Sequence, residues 1–308
     1  MKMKYKSINT LSSLLISTAI ILNFSAINGY ALKEPIQNNS KSSEEIVLDN
    51  DILSTLPERY RKTSDLKLIS DNKDIDTNGL KDLNISGSQQ FSKSNLPFVI
   101  EDLDTVLPII IFDLRQESHG FINNFPISFR NENNTSNKGL TDEEIRKKEK
   151  NQLESIKLNE SIPIANYCKK NIIPTSVTDE NALVSLNHFK YIRIFATDKE
   201  IPNDKVIDSF IEQINALTEP SWIHFHCKEG ITRTTTFMIF YDMMKNYNNV
   251  SAEDIINRQI VLAHLDKNYT TELTTSERLE LFKSFYSYCQ KYGNDFSTLY
   301  SKFTSVES

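Results

Sequence analysis

The sequence predicts an α/β domain with a central mixed or largely parallel sheet flanked by helices. Short apolar runs bounded by turn residues alternate with longer segments of helical periodicity, which is typical of such domains. In addition, an apolar run that ends near Cys227 leads through a short loop directly into a helix-like segment. Ligands of these folds bind at the carboxyl ends of the strands, so Cys227 is expected at the binding edge of the sheet.

The predicted elements follow one another along most of the chain. Apolar runs that favour strands cover residues 83–86, 97–100, 108–112, 161–165, 191–195 and 222–226. Apolar side chains at helical spacing, with capping residues at several ends, predict helices over residues 141–158, 203–217, 234–246, 251–262 and 276–292. Gly293 is the predicted C-cap of the last helix.

Residues 1–31 are predicted to be a secretory signal peptide. Three lysines precede an apolar run over residues 11–27, and small residues stand at the expected cleavage position near Ala31. The alternative is an uncleaved N-terminal anchor helix, although the apolar run is short and interrupted by polar residues. The expectation is therefore a secreted protein without a stable membrane anchor.

The rest of the chain divides into three predicted segments. Residues 32–55 are polar and lack a steady period, which favours a flexible leader. Residues 56–295 carry the predicted elements and are long enough to build a conventional hydrophobic core. Residues 296–308 are interpreted as a C-terminal tail.

Charge limits the partners that this chain can have. The formal net charge at pH 7 is −6, so no uniformly basic surface is expected and nucleic acid is not a predicted partner. If the substrate is anionic, positive potential must be concentrated in one pocket against an acidic background.

The cysteines are too few for a disulfide scaffold. Three are present, and an odd number in an exported chain indicates a free thiol, for which Cys227 is the candidate. Cys168 and Cys289 either pair or are buried, and burial is favoured for Cys289. The two histidines His224 and His226 lack further ligands at the spacing of a zinc site, so no metal is predicted.

The most informative segment runs from His226 to Thr234 and separates Cys227 from Arg233 by five residues. At the junction of a strand, a tight loop and a helix, backbone N–H groups converge and the helix dipole favours a phosphate. A cysteine in such a loop is held as a thiolate and is nucleophilic, which indicates phosphoryl transfer through a cysteinyl-phosphate. The loop residues expected to contact substrate are Lys228, Glu229, Gly230, Ile231 and Thr232.

Other side chains complete the predicted chemistry. Arg233 offers a planar fork of donors for two phosphate oxygens. The hydroxyl of Thr234 is placed to bond the sulfur, and His226 is expected to orient the loop. The leaving alcohol needs a general acid, for which Asp198 is the candidate because it follows a predicted strand. Glu200 is the competing carboxylate, and a surface role for Asp198 is the alternative.

A second charged segment, from Asp113 to Gly120, also follows a predicted strand. Its charge density indicates either a site or a buried ion-pair network that braces the loop. Bracing is favoured for Arg115 and Glu117, while the role of Asp113 is left open.

With these residues in hand, the chain resembles the protein-tyrosine-phosphatase-like inositol phosphatases of bacteria, the cysteine phytases. Five separated motifs occur in the order of that family: Leu56-Pro57 with Tyr60-Arg61, Asn84–Gly87 with Ser88 and Gln90-Phe91-Ser92, Asp113–Gly120, Asp198, and His226–Thr234. The resemblance implies a phosphatase α/β core with a small partial-barrel accessory domain beside it. It also implies that no metal or other cofactor is required.

The same resemblance assigns roles residue by residue. Cys227 would attack phosphorus, Arg233 would bind the transferred group, and Asp198 would protonate the leaving oxygen. Arg61 and Asp113 would contact the substrate.

The departures from the family pattern concern mainly the substrate pocket. Thr232 stands where the family usually has glycine, which adds bulk to the loop. Lys228 resembles the loop lysine of phosphoinositide phosphatases, and Lys199 follows the predicted general acid where histidine is common. Lys199, Lys228, Lys169 and Lys170 are therefore candidate phosphate contacts.

We therefore expect a phosphoric monoester hydrolase that removes phosphate from inositol polyphosphates such as phytate through a phosphocysteine. The substrate could instead be another phosphomonoester, which would make the protein a protein-tyrosine or phosphoinositide phosphatase. A catalytically weakened phosphate-binding module is the remaining alternative, suggested by Thr232 and Lys199.

Overall fold

The computed structural model describes residues 44–70, 74–131, 134–166 and 171–307. Its strands are, in chain order, β1 (Glu45–Leu48), β2 (Arg61–Lys62), β3 (Ile85–Gln89), β4 (Ile109–Asp113), β5 (His119–Ile122), β6 (Phe125–Arg130), β7 (Ile162–Pro163), β8 (Asn171–Ile172), β9 (Val177–Thr178), β10 (Lys190–Arg193) and β11 (Trp222–Cys227). Its helices are α1 (Lys67–Ser70), α2 (Leu96–Leu103), α3 (Asp142–Glu154), α4 (Glu180–Leu186), α5 (Asp204–Asn215), α6 (Thr232–Asn246), α7 (Ala252–Ala263), α8 (Lys267–Leu273), α9 (Ser276–Tyr292) and α10 (Tyr300–Glu307).

The central sheet has the strand order β10-β4-β11-β3-β2. The first four of these strands are parallel, and β2 pairs antiparallel with β3 at one edge. Every residue of β11 is buried, because this strand lies in the middle of the sheet with side chains packed on both faces. The expected α/β architecture with a mixed, largely parallel sheet is confirmed.

Helix α6 follows β11 and carries the chain into the core. Nearly every residue of this helix is buried, and its aromatic side chains meet those of α5 and α9: Phe237 packs on Phe210, and Phe240 packs on Phe285 with ring centroids 4.4 Å apart. Because α6 is packed on all sides, its first turn, which follows the loop, is held in a fixed position. The loop between β11 and α6 therefore rests on a rigid base.

A second sheet of four antiparallel strands has the order β1-β6-β5-β9. It surrounds a separate apolar cluster that includes Leu48, Ile122 and Phe129. This sheet is the part of the described chain that comes nearest to the accessory domain implied by the family resemblance. Residues Ser42–Ser308 nevertheless form one compact unit, so a separate accessory domain stays a prediction.

The expectation of a flexible leader over residues 32–55 is wrong for the part that the structure describes. Strand β1 pairs with β6 in register Glu45 to Arg130, and the next residue, Asp49, forms a buried ion pair with Arg115. The polar composition misled the prediction, because the partners that order this segment lie far away in the sequence.

The predicted strand over residues 97–100 is also wrong, since the chain is helical there. Its buried side chains, Leu96, Val99 and Leu103, recur at helical spacing, and proline stands at the start of the helix. The predicted strand over residues 161–165 shrinks to β7, which pairs only with β8. The other predicted strands and the five predicted helices are present with small shifts of their ends.

The C-terminal residues form a helix rather than a tail. Tyr300 and Phe303 of α10 are buried and pack against Tyr288 of α9, with ring centroids 5.6 and 5.8 Å away. Within α9, Cys289 is a free, buried thiol, and Gly293 caps the helix as predicted. The last helix therefore completes the core behind α5 and α9.

Some predictions fall on residues outside the described ranges. They are the signal peptide over residues 1–31, and the residues Cys168, Lys169 and Lys170. Among the helices of the described ranges, no helix is both long enough and apolar enough for a membrane crossing.

The packing of α10 leads to a stability prediction. Phe303→Ala should lower the free energy of unfolding by about 3–5 kcal/mol, because it removes a buried aromatic ring and leaves a cavity. Val306 lies on the same helix but is exposed, so Val306→Ala is the matched control and should change stability little. Chemical denaturation of both variants measures the difference, and equal stability of the two would show that α10 does not contribute to the core.

Candidate active site

The loop between β11 and α6 adopts a conformation that depends on Gly230. This residue has φ of +70°, and a Cβ atom there would lie 2.3 Å from the backbone nitrogen of Gln89. Only glycine fits both the left-handed backbone and the close approach to β3. The loop is therefore pressed against the neighbouring strand, and Ile231 leads into the first turn of α6.

The sulfur of Cys227 lies inside this loop and receives two hydrogen bonds. The backbone N–H of Gly230 and the hydroxyl of Thr234 both donate to it, each over 3.2 Å. Donors aimed at a sulfur stabilise its negative charge. The bond from Thr234 is the one expected from the sequence.

Arg233 projects from the first turn of α6 and is fixed by two carboxylates. Its guanidinium donates to both oxygens of Glu117, over 2.7 and 2.9 Å, and lies 3.0 Å from Asp198. Burial alone would lower the pKa of Arg233, but Glu117 and the Cys227 sulfur raise it well above its usual value. The arginine is therefore a permanent, rigidly oriented cation beside the sulfur.

Asp198 lies on the loop that follows β10 and reaches the same place. One carboxylate oxygen is the partner of Arg233, and the other accepts a hydrogen bond from Asn134 over 3.1 Å. The side chain is 29% exposed, so it can meet a ligand. Glu200, the competing carboxylate, instead pairs with Lys138 at 2.6 Å on the surface. The geometry therefore favours Asp198 as the acid.

These side chains line a cavity of about 180 Å³. Its walls are formed by Asp198, Lys199, Cys227, Glu229, Ile231, Thr232, Arg233, Tyr269 and Glu272. Sequence reasoning missed the last two, which lie on α8, because that helix was not predicted. The residue that could have indicated this helix is Asp266, whose carboxylate caps the N-terminus of α8.

A larger cavity of about 590 Å³ lies elsewhere, between α3, α4 and the ends of β9 and β10. Its charged wall includes Glu149 and Arg193, which are paired with each other, and Cys227 is not among the described residues that line it. Size alone would favour this cavity, but Cys227 and residues of the loop between β11 and α6 line the smaller one.

Arg61 does not lie where the family resemblance placed it. Its guanidinium is buried behind the loop, where it donates to the carbonyl of Gly230 over 2.9 Å and to the hydroxyl of Thr235 over 2.9 Å. Burial lowers the pKa of Arg61 to about 10, so it remains charged at neutral pH. Arg61 therefore supports the loop from behind and does not line the cavity.

Asp113 is likewise fully buried and cannot contact a substrate in this arrangement. Its carboxylate accepts a hydrogen bond from Tyr191 over 2.6 Å and lies 3.1 Å from Arg193. Burial alone would raise the pKa of Asp113, but His119 and Arg193 hold it well below its usual value. The open question about this residue is answered in favour of a structural ion-pair network.

Two loop residues also differ from their predicted roles. His226 is buried with its ring 2.8 Å from Glu180 and edge-on to Phe91, so the ring points away from the loop. Lys228 turns toward Asp49, 3.4 Å away, and does not line the cavity. Both predictions failed because their partners, on α4 and after β1, are distant in sequence.

The expectation that Arg115 and Glu117 brace the loop is confirmed. Arg115 is fully buried and donates to Glu117, Asp49 and Ser128 over 2.9, 2.9 and 2.6 Å. Burial alone would raise the pKa of Glu117, but Arg233 and Arg115 lower it well below its usual value. Glu117 thus forms ion pairs with both Arg115, which is fully buried, and Arg233, which lines the cavity.

One buried group of side chains has the spacing of a metal site. Ligand atoms of Asp113, His119 and Glu180 lie within 4.8 Å of one another. However, Arg193 is 3.1 Å from Asp113, and although burial opposes it, the Asp113 carboxylate raises the pKa of His119 to about 10. A protonated imidazole cannot ligate a metal, so these residues fit an ion-pair network instead.

A parallel sheet that presents a buried cysteine, and an arginine on the next helix, to one small cavity defines a protein-tyrosine-phosphatase-like site. A family model described as PTP-like phytase, inositol hexakisphosphate, matches residues 112–245. The PTP-like phytase from Bdellovibrio bacteriovorus is 30% identical, with a TM-score of 0.71, over 84% of this chain and 94% of that one. The chain belongs to the PTP-like phytase family.

Two further relatives are longer than this chain. The PTP-like myo-inositol phosphatase from Mitsuokella multacida, solved with myo-inositol-(1,3,4,5)-tetrakisphosphate, is 26% identical with a TM-score of 0.75, over 86% of this chain and 48% of that one. The effector protein hopD2 of Pseudomonas syringae pv. tomato is 29% identical over an alignment of 253 residues, which covers 75% of this chain and 53% of that protein. The chain thus spans about half the length of these two relatives.

The buried network predicts how stability changes with pH. Because the pKa of His119 is raised from 6.5 to about 10 in the folded protein, its stabilising effect is complete below pH 6.5. That effect is lost as pH rises toward 10. We expect the free energy of unfolding to fall over this range in the wild-type protein and to fall less in His119→Gln.

Chemical denaturation at a series of pH values measures both slopes. Groups that do not contact His119 contribute equally to the two proteins, so the difference between the slopes reports His119 together with the carboxylates that it contacts. If the slopes of wild type and variant coincide between pH 6.5 and 10, the histidine is not charged in the network.

Proposed function

We propose that the protein is a cysteine-dependent phosphatase that acts on inositol phosphates. The observation that carries this proposal is one small cavity into which Cys227, Arg233 and Asp198 all project. Membership in the PTP-like phytase family supports the inositol phosphate substrate, since the family model carries that description.

In the first step, the Cys227 thiolate attacks the phosphorus of a monoester held by Arg233 and the loop N–H groups. A sulfur–phosphorus bond forms while the bond from phosphorus to the ester oxygen breaks. The leaving oxygen takes the proton of Asp198, which is why that carboxyl must start protonated. The hydroxyl of Thr234 already donates to the sulfur and stabilises its charge.

In the second step, water attacks the phosphocysteine. Asp198, now a carboxylate, accepts a proton from that water, and the sulfur–phosphorus bond breaks to release inorganic phosphate and restore the thiolate. Arg233 can stabilise charge on the phosphoryl oxygens in both steps, because Glu117 holds it in one orientation. No metal takes part in this scheme.

Among the alternative substrates, phosphoinositides lose their main support. That alternative rested on Lys228, whose amine lies near Asp49 instead of in the cavity. Phosphotyrosine remains an alternative that the same chemistry would serve. Release of phosphate from inositol hexakisphosphate, phosphoinositide head groups and a phosphotyrosine peptide separates the three classes.

We also propose that the protein is exported. The support is the composition of residues 1–31, with lysines followed by an apolar run and small residues. N-terminal sequencing of protein recovered from the culture medium tests it. A chain that is found only inside cells and begins at Met1 would contradict export.

Substitutions test the proposed roles of Cys227 as the nucleophile and of Asp198 as the general acid. Cys227→Ser should lower kcat by about a thousandfold or more, because the hydroxyl is a poor replacement for the thiolate. Asp198→Asn should lower kcat on inositol phosphates by about 100-fold to 10,000-fold. It should affect p-nitrophenyl phosphate much less, since nitrophenolate leaves without a proton.

Glu200→Gln is the matched control, because Glu200 lies two residues away and pairs with Lys138 on the surface. This variant should keep the wild-type rate, and EDTA should have no effect on any of the proteins. Rapid quenching with acid should trap a phosphocysteine in the wild type. Undiminished turnover by Cys227→Ser would overturn the proposed function.

A further inference from the structure

Part of the cavity wall is formed by α8. This helix contributes Tyr269 and Glu272, and the carboxylate of Glu272 accepts a hydrogen bond from the Thr232 hydroxyl over 3.3 Å. Thr232 is the loop residue that stands in place of the usual glycine. Its side chain therefore ties a carboxylate to the rim of the phosphate-binding loop.

The charges around the cavity do not resemble a site for a dense polyanion. Besides Asp198, which starts protonated in the proposed mechanism, the carboxylates of Glu229 and Glu272 line it, together with the two cations Lys199 and Arg233. The Arg233 charge is already matched by the bidentate contact with Glu117. When Cys227 is a thiolate, the lining carries more negative than positive charge.

Among the described residues, four further cations near the loop do not line the cavity. Lys228 turns to Asp49, Arg61 lies behind the loop, and Arg59 contacts both the Glu229 carbonyl and the ring of Tyr269. Arg278 lies behind the loop of the general acid and donates to the Glu200 carbonyl over 3.1 Å. Within the described residues, Lys199 is the lysine that lines the cavity.

We propose that Glu272 is a specificity-determining residue that disfavours substrates with several phosphates. The phosphate that reacts is held by Arg233 and the loop, whereas phosphates on neighbouring ring carbons would approach the walls. Each such phosphate carries about −1.5 to −2 charges at pH 7 and would face the carboxylates of Glu272 and Glu229. The preferred substrates are then inositol phosphates with few phosphates, an inference that rests on the proposed function.

The test variant removes the negative charge of Glu272 and keeps the shape of its side chain. Glu272→Gln can still accept the hydrogen bond from Thr232, so its effect reports charge alone. We expect kcat/KM for inositol hexakisphosphate to rise about threefold to tenfold, while kcat/KM for inositol 1-phosphate changes by less than about twofold. Glu280→Gln, an exposed carboxylate of α9 that does not line the cavity, should leave both values unchanged.

Ionic strength adds a readout that a purely structural role would not move. The gain for inositol hexakisphosphate should shrink from 0.05 M to 0.5 M salt, since salt screens charges separated by more than about 4–14 Å over that range. An equal effect of Glu272→Gln on both substrates, or a gain that does not depend on salt, would overturn the assignment of Glu272.

Binding measurements keep this test independent of turnover. In the Cys227→Ser background, isothermal titration calorimetry should show that Glu272→Gln lowers the Kd of inositol hexakisphosphate by about threefold to tenfold. The Kd of inositol 1-phosphate should change by less than about twofold. If the wild type releases no phosphate from either compound, the proposed function fails, while the binding ratio still decides the role of Glu272. An unchanged binding ratio would contradict the inference even in an active enzyme.

Discussion

The ion pair between Glu117 and Arg233 is the interaction on which the rest of the site depends. A guanidinium buried at the edge of a sheet is stable only when a carboxylate accepts its donors, and Glu117 does so with both oxygens. Glu117 is buried too, so it needs Arg115, and Arg115 in turn needs Asp49. The chain of charges therefore reaches from the phosphate-binding loop to the segment after β1.

These ion pairs connect the second sheet to the candidate active site. Strand β1 positions Asp49, and β6 contributes Ser128, which also contacts both Arg115 and Asp49. On the other side of the loop, Arg61 supports the Gly230 carbonyl. The loop is thus held by arginines that do not line the cavity, and their fixed positions hold the loop N–H groups in place for an anion.

The sequence predicted correctly that Thr234 contacts the Cys227 sulfur and that Arg233 lies in the same cavity, because these residues are close together in the chain. Cys227, Arg233 and Thr234 lie within one strand, loop and helix, and their spacing alone determines which atoms meet. The predictions failed where a side chain has a distant partner: His226 with Glu180, Lys228 with Asp49, and the whole of β1. Periodicity cannot reveal a contact between elements, and the apolar run in α2 shows that short runs do not separate strand from helix.

Chemistry and specificity consequently have different origins in this fold. Cys227, Arg233 and Asp198 are positioned by β11, α6 and the loop after β10. Part of the wall comes from α8, where Tyr269 and Glu272 reach the same cavity without any recognisable motif. Thr232 connects the two, because its side-chain hydroxyl donates to the Glu272 carboxylate. The proposed effect of Glu272 on substrate choice would therefore reach the loop through the side chain of Thr232.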